Sequence, residues 1–160
     1  IDGDDVVAPI KTFKDMRFPQ PVLDLLAQKK IFKPTSIQMQ ALPVVLSGRD
    51  LIAVSSTGSG KSLIFLLPIL SYAWEEDLKM PLIGGEGPFG IVILPSHELA
   101  IQIYELFLEY ADRGAKGGLP HLRVMLCIGG IDIKDQMEKV KRGVHIIIAT
   151  PGRLSDLLSK

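Results

Sequence analysis

Four apolar runs of strand length punctuate the chain, at Leu51–Val54, Gly90–Leu94, Leu122–Ile128 and Val144–Ala149. They are solidly apolar rather than alternating, the pattern of strands covered on both faces by helices in a parallel sheet. Helical periodicity fills the intervals, over about 61–74, 97–110 and 133–141, and a further helix begins near Arg153. This βαβα order predicts an α/β domain. Pro68 falls inside the first of those helices and predicts a kink there, or a place near the helix end where it is absorbed. The first 35 residues carry no strand pattern. There Pro19 and Pro21 open a short helix over 22–29, with Val22, Leu25 and Leu26 on one face. Lys33-Pro34-Thr35-Ser36 is a turn and helix-start signal, and predicts a helix over 36–46. Residues 77–88 and 114–120 are rich in Gly and Pro and read as surface loops. No internal repeat is visible.

Composition narrows the class. The chain has 160 residues, 47% apolar and 22% charged, as in one soluble globular domain. Lys+Arg and Asp+Glu both total 18. That balance excludes a polybasic tail or an acidic disordered chain, but not a local basic patch. The single cysteine, Cys127, can form no internal disulfide, and its place in an apolar run makes it a core residue of a protein from a reducing compartment. No apolar run reaches the roughly 18 residues of a membrane span, and the acidic start, Ile1-Asp2-Gly3-Asp4-Asp5, is unlike a signal peptide. The missing initiator Met and the stop in mid-pattern at Lys160 suggest a piece of a longer chain.

The strongest chemical signal is Ser55-Ser56-Thr57-Gly58-Ser59-Gly60-Lys61-Ser62, between an apolar run and a helix. Glycines let a backbone wrap phosphate oxygens, with successive N–H groups and the helix N-terminus facing the anion. Lys61 would reach the β/γ-phosphates and the Ser62 hydroxyl would ligate Mg²⁺. The generic loop begins with Gly, where this chain has Ser55. Such a loop specifies a nucleoside triphosphate, not a reaction.

Other segments admit two readings each. In Thr35-Ser36-Ile37-Gln38, Gln38 either closes a capping box onto the Thr35 N–H or reads an adenine edge, accepting from N6 and donating to N7. Thr150-Pro151-Gly152-Arg153 is either a capped helix start with a solvated arginine or a phosphate site built from first-turn N–H groups and Arg153. Gly129-Gly130 is either a simple turn or a bare backbone open to a ribose-phosphate chain. The clusters Lys139, Lys141, Arg142 and Lys29, Lys30, Lys33 read as solvated faces. His121 and His145 have no metal-ligand spacing and read as surface or strand-end residues.

Taken together, Phe13, Lys33-Pro34-Thr35-Ser36-Ile37-Gln38, Ser56–Ser62, Pro95-Ser96-His97-Glu98-Leu99-Ala100, Gly129-Gly130 and Thr150–Arg153 resemble, in order, motifs of the DEAD-box RNA helicases. Ser47-Gly48-Arg49-Asp50, Glu86-Gly87-Pro88 and Gly143-Val144-His145 are most similar to its Abstrakt subfamily, linked to pre-mRNA splicing. The resemblance implies a RecA-like P-loop domain with a parallel sheet and helices on both faces, incomplete as given. Residues 1–33 would be an arm flanking the adenine site. Residues 34–160 would be part of the first RecA-like domain, without its acidic-motif strand and without the second domain.

It also implies roles. Phe13 stacks on adenine, Gln38 reads its edge, and Lys33 and Ser56–Ser62 complete the ATP site. Pro95, Ser96, His97, Gln102, Gly129, Gly130 and Thr150–Arg153 contact RNA. Two positions depart from the family: His97 stands where Arg is usual, and Lys30, 17 residues after Phe13, where Gly is common. A neutral imidazole supplies none of the fixed charge of an arginine. The implied activity is ATP-dependent unwinding or remodelling of short RNA duplexes or RNPs, with ATP and Mg²⁺ as cofactors. The implied partners are single-stranded or duplex RNA held by its sugar-phosphate backbone, the second RecA-like domain, and spliceosomal proteins. The protein would be monomeric, away from membranes, in nucleus or cytoplasm. A non-catalytic ATP-dependent RNA clamp is the alternative. No acidic pair follows a strand after residue 62, so this segment by itself is expected to bind nucleotide weakly and turn it over negligibly. Its phosphate-loop strand would lack a neighbour, at about 1–3 kcal/mol per unpaired buried backbone group.

Overall fold

The computed structural model describes residues 6–159. The acidic start and Lys160 lie outside them. The chain divides into two compact units, 1–71 and 72–160.

In the first unit, α1 (Gln20–Gln28) starts behind Pro19 and buries Val22, Leu25 and Leu26. It ends on Lys30, whose φ is +59. The Lys30 N–H donates to the Ala27 carbonyl at 2.9 Å and the Ile31 N–H to that of Leu26 at 2.8 Å. That pair of reversed bonds closes a helix with a left-handed residue, usually glycine. Lys30 therefore makes the glycine turn without being glycine. α2 (Ser36–Leu46) starts at Thr35 as predicted and continues through Pro43. The arm lies along it: the Ile10 N–H donates to Met39 O at 3.0 Å and Gln40 Nε2 to Val7 O at 3.0 Å. α3 (Ser62–Lys79) runs well past Pro68 and across the boundary between the units, so that proline does not end it.

One predicted strand does not form. Leu51–Val54 joins no ladder, and Ile52 and Val54 are 95% and 89% exposed. The run borders an open cavity of about 940 Å³ that also involves Val7, Ile37 and Val44. An apolar tetrapeptide becomes a strand only when a neighbour takes its N–H and C=O groups, and none among the described residues does. The cost appears as apolar exposure, not as buried unpaired amides.

The second unit holds β1 (Gly90–Ile93), α4 (His97–Lys116), β2 (Val124–Cys127), α5 (Ile133–Lys141), β3 (Ile146–Ala149) and α6 (Pro151–Leu158). The strands pair in parallel in the order β1-β3-β2, with Gly90 and Val124 both opposite Ile146. Central β3 is buried at every position, which explains its unbroken apolar sequence. Edge strand β1 leaves Ile91 and Ile93 about half exposed, at 46% and 57%. Met125, Cys127, Ile147 and Ala149 share a core with Val140 of α5 and Leu154 and Leu157 of α6. α4 packs on β2 and β3. Each large side chain buried here contributes about 1.5–3 kcal/mol. α4 runs through Gly114, where the sequence pattern predicts a loop, because the missing Cβ leaves room for the Trp74 ring.

Of the two readings offered for His145, strand end and surface, the structure keeps the first and not the second. The residue stands just before β3 but is only 2% exposed. Its Nδ1 accepts the Arg123 backbone N–H at 2.9 Å, and its Nε2 lies 2.9 Å from Asp77 Oδ1. Asp77 also accepts from the Leu82 N–H at 2.8 Å, and Arg123 Nη2 donates to Leu82 O at 2.9 Å. These bonds fasten the loop after α3 to the strand ends. No described helix is long and apolar enough to cross a membrane.

Candidate functional site

In the first unit the glycine-rich loop leads into α3 and is tied to the start of α2. Gln38 is 1% exposed. Its Oε1 accepts the Thr35 N–H at 2.9 Å, so the capping reading holds, and its Nε2 donates to Gly60 O at 2.9 Å. Thr35 Oγ1 donates to Ser59 O at 2.9 Å. The amide keeps one N–H and one lone pair beyond these bonds. Gly60 has φ +85, and a Cβ there would collide with the Gln38 amide nitrogen. Gly58 has φ +75 and open space around it.

Lys61 Nζ donates to the carbonyls of Ser55 and Ser56, both at 2.6 Å. This holds the ammonium over the mouth of the loop. The Ser55 and Ser59 hydroxyls bond at 2.6 Å, a closure that the usual glycine at position 55 could not make. Thr57 is exposed and Ser62 is the first residue of α3. Two left-handed glycines, a lysine ammonium and a helix start fit a phosphate group. Phe13 is 4% exposed and tilts against Phe18, with centroids 6.5 Å apart. Lys33 is exposed.

In the second unit, the parallel register brings three segments to one edge, where the strands end. Leu94 N–H donates to Ala149 O at 2.9 Å and Thr150 N–H to Cys127 O at 3.0 Å. Pro95–His97, Gly129-Gly130 and Thr150–Arg153 therefore emerge side by side, at the sheet edge where α/β domains bind ligands. Ser96 caps α4, its Oγ accepting the Leu99 N–H at 3.2 Å. His97 is exposed, and its ring lies against Gly129: a Cβ there would stand 3.2 Å from His97 Cε1. Gly130, at φ +84, and Gly152 face open space. Thr150 makes no side-chain cap and Pro151 has no N–H, so the first-turn N–H groups of α6 are left for another acceptor. Gln102 is exposed on α4, about 140° round the helix from His97.

Arg153 is half-buried, and its Nη1 donates to Ile131 O at 2.7 Å and Gln136 Oε1 at 3.4 Å. Gln136, unremarked by motif reading, is buried beneath the glycine turn. Its sequence signal is position: it falls on the apolar face of α5 with Ile133 and Val140. Burial pushes the Cys127 thiol above its ordinary pKa, with Arg153 opposing, so the cysteine stays protonated core.

A glycine-rich loop opening a helix and a parallel sheet with helices packed on it define an α/β domain of RecA-like fold. Residues 35–160 match the DEAD/DEAH box helicases, and the chain belongs to that family. It is 54% identical to DEAD-box ATP-dependent RNA helicase 35 of Arabidopsis thaliana, over 100% of this chain and 27% of the relative. It is 44% identical to ATP-dependent RNA helicase abstrakt of Drosophila melanogaster, over 100% of this chain and 26% of that protein. Among solved structures it is similar to the yeast DEAD-box splicing factor Prp28, at a TM-score of 0.83 and 29% identity, over 99% of this chain and 37% of that one. The chain thus spans about a quarter of the length of these curated relatives.

Proposed function

We propose that this chain is the ATP-binding and RNA-binding part of an ATP-dependent RNA helicase that remodels short duplexes or RNPs in the nucleus, in pre-mRNA splicing. The observation that carries the reading is the Gln38–Gly60 bond at 2.9 Å, which joins a base-reading amide to a phosphate loop. In this reading the unspent N–H and lone pair of Gln38 select adenine, and Phe13 turns its ring to the base. Lys61 leaves the Ser55 and Ser56 carbonyls for the phosphates, and Lys33 flanks the nucleotide. Ser62 would hold Mg²⁺, which would neutralise phosphate charge when bound.

The strand-end segments of the second unit, Pro95–His97, Gly129-Gly130 and Thr150–Arg153, take the RNA sugar-phosphate backbone. That mode gives affinity without sequence specificity. His97 supplies a hydrogen bond where a fixed charge is usual. A second RecA-like domain and spliceosomal proteins are the further partners, the former completing the catalytic site. The names of the relatives, ATP-dependent RNA helicases and a splicing factor, support the helicase reading and the link to splicing. The test is RNA-stimulated ATPase of the full-length protein. Lys61→Ala is expected to lower it at least about a hundredfold, and undiminished activity overturns the assignment.

A further inference from the structure

The glycine turn between β2 and α5 is held from beneath by one buried amide. Gln136 is 1% exposed, and all of its polar capacity points inward. Its Nε2 donates to Ile128 O at 3.2 Å and, more weakly, to Leu126 O at 3.4 Å. Its Oε1 accepts from Arg153 Nη1 at 3.4 Å, and the same Nη1 donates to Ile131 O at 2.7 Å. Ile128 and Ile131 are the two stems of the Gly129-Gly130 turn. Gln136 thus holds the entering stem, Arg153 holds the leaving stem, and the two side chains are bonded to each other. The clamp ties the turn to the first helical turn of α6.

The turn cannot hold itself. Gly130 is left-handed at φ +84 with nothing within 4 Å of where its Cβ would be, and Gly129 has only the His97 ring beside it. A bare glycine pair samples more backbone states than any other dipeptide, so a fixed geometry here must come from the stems. Only a neutral amide suits the place, since it needs two N–H donors toward two carbonyls and one oxygen toward a guanidinium. Glutamate keeps the oxygen and loses both donors, and leucine loses all three bonds. Arg153 spends one nitrogen inward and keeps its other N–H groups for an outward phosphate.

We infer that Gln136 is a positioning residue for RNA: it presets the spacing between the Gly129-Gly130 backbone and the α6 N-terminus, so that both meet one sugar-phosphate chain without first being ordered. The inference rests on the RNA-binding reading above and deepens it. Ordering a loop at the moment of binding costs affinity, so loss of the clamp must appear in RNA binding and not in nucleotide binding.

The test uses the full-length protein and a fluorescein-labelled 15-nucleotide oligouridylate with Mg·AMP-PNP. Gln136→Leu is expected to raise the RNA Kd and the RNA concentration for half-maximal ATPase about tenfold. The rate at saturating RNA should stay within about twofold, with the affinity for labelled ATP in the absence of RNA unchanged. Gln136→Glu, which keeps the volume and strengthens the pairing with Arg153, should weaken RNA binding in the same direction, and it serves should the leucine variant not fold. A lower melting temperature with unchanged RNA Kd in a folded variant makes Gln136 a structural residue and overturns the inference. So does an equal loss of RNA and ATP affinity. If the unmutated protein binds no RNA, it is the RNA-binding reading that fails, and this inference with it.

Discussion

Replacing Gly60 by alanine tests how the phosphate loop is coupled to Gln38. Two penalties fall on that one methyl group. A left-handed backbone at φ +85 costs an L-residue about 1–2 kcal/mol. The methyl also collides with the Gln38 amide nitrogen, and losing the bond of a buried amide to the Gly60 carbonyl costs about 1–3 kcal/mol. The sum is about 2–5 kcal/mol. Gly58→Ala is the matched control, since at φ +75 with open space around it it carries only the first penalty. The loop must regain its geometry to hold a phosphate, so the difference of about 1–3 kcal/mol should be read in nucleotide affinity as about 5- to 150-fold. The assay is titration of a fluorescent ATP analogue into full-length protein bearing each change, alone and combined with Gln38→Ala. Without the amide, Gly60→Ala should cost no more than Gly58→Ala. Equal effects of the two glycine changes beside an intact Gln38, or an undiminished gap without it, refute the coupling.

Three further outcomes are expected. Alanine in place of a helical glycine usually helps by up to about 1 kcal/mol, but at Gly114, in the last turn of α4, the added Cβ overlaps the Trp74 ring, with Cε2 at 2.9 Å and Cη2 at 3.0 Å. Gly114→Ala should therefore lose about 1–3 kcal/mol to overpacking and lower Tm by a few degrees in a circular-dichroism melt, whereas a raised Tm contradicts the packing. Lys30→Gly should raise Tm slightly, relieving up to about 1 kcal/mol of left-handed strain at φ +59, and a fall in Tm contradicts that account. Burial pushes His145 below its ordinary pKa against the pull of Asp77, with Arg123 and His121 adding to the shift. Burial pushes the Asp77 carboxyl up, but Leu82, His145 and Arg123 outweigh it and the net shift is down. Both groups favour the folded state at higher pH: the His145 contribution is complete above about pH 6.5 and decays as pH falls below it, and that of Asp77 is lost below about pH 4. Tm should thus be flat from about pH 7 to 8 and fall as the pH drops below about 6.5. His145→Gln should flatten that fall, and an unchanged slope contradicts the assignment.

Where local chemistry decides structure, the sequence was legible. Thr35 with Gln38, and the gap between Ile128 and Ile133, marked the starts of α2 and α5, because caps and breakers act within a few residues. Central β3 was readable because full burial permits an unbroken apolar run. Leu51–Val54 misled for the converse reason: a strand is a relation between two segments, and the run carries only one side of it. Asp77 and His145 meet across 68 residues, so the burial of His145 had no local sign. Gln136 lay in view on the apolar face of α5, but a glutamine there carries no motif until Ile128, Ile131 and Arg153 are seen around it. In the phosphate loop the residues were legible, while the return of Lys61 onto its own carbonyls was not.

Trp74 is the chain's one indole. It is 1% exposed, its Nε1 donates to Pro120 O at 3.1 Å, and its ring edge rests on Gly114. Its emission is a built-in optical gauge for the far end of α4, blue-shifted while that packing holds and red-shifted once water reaches the ring. Loss of packing around this ring can be followed by its light alone, with no dye and no engineered label.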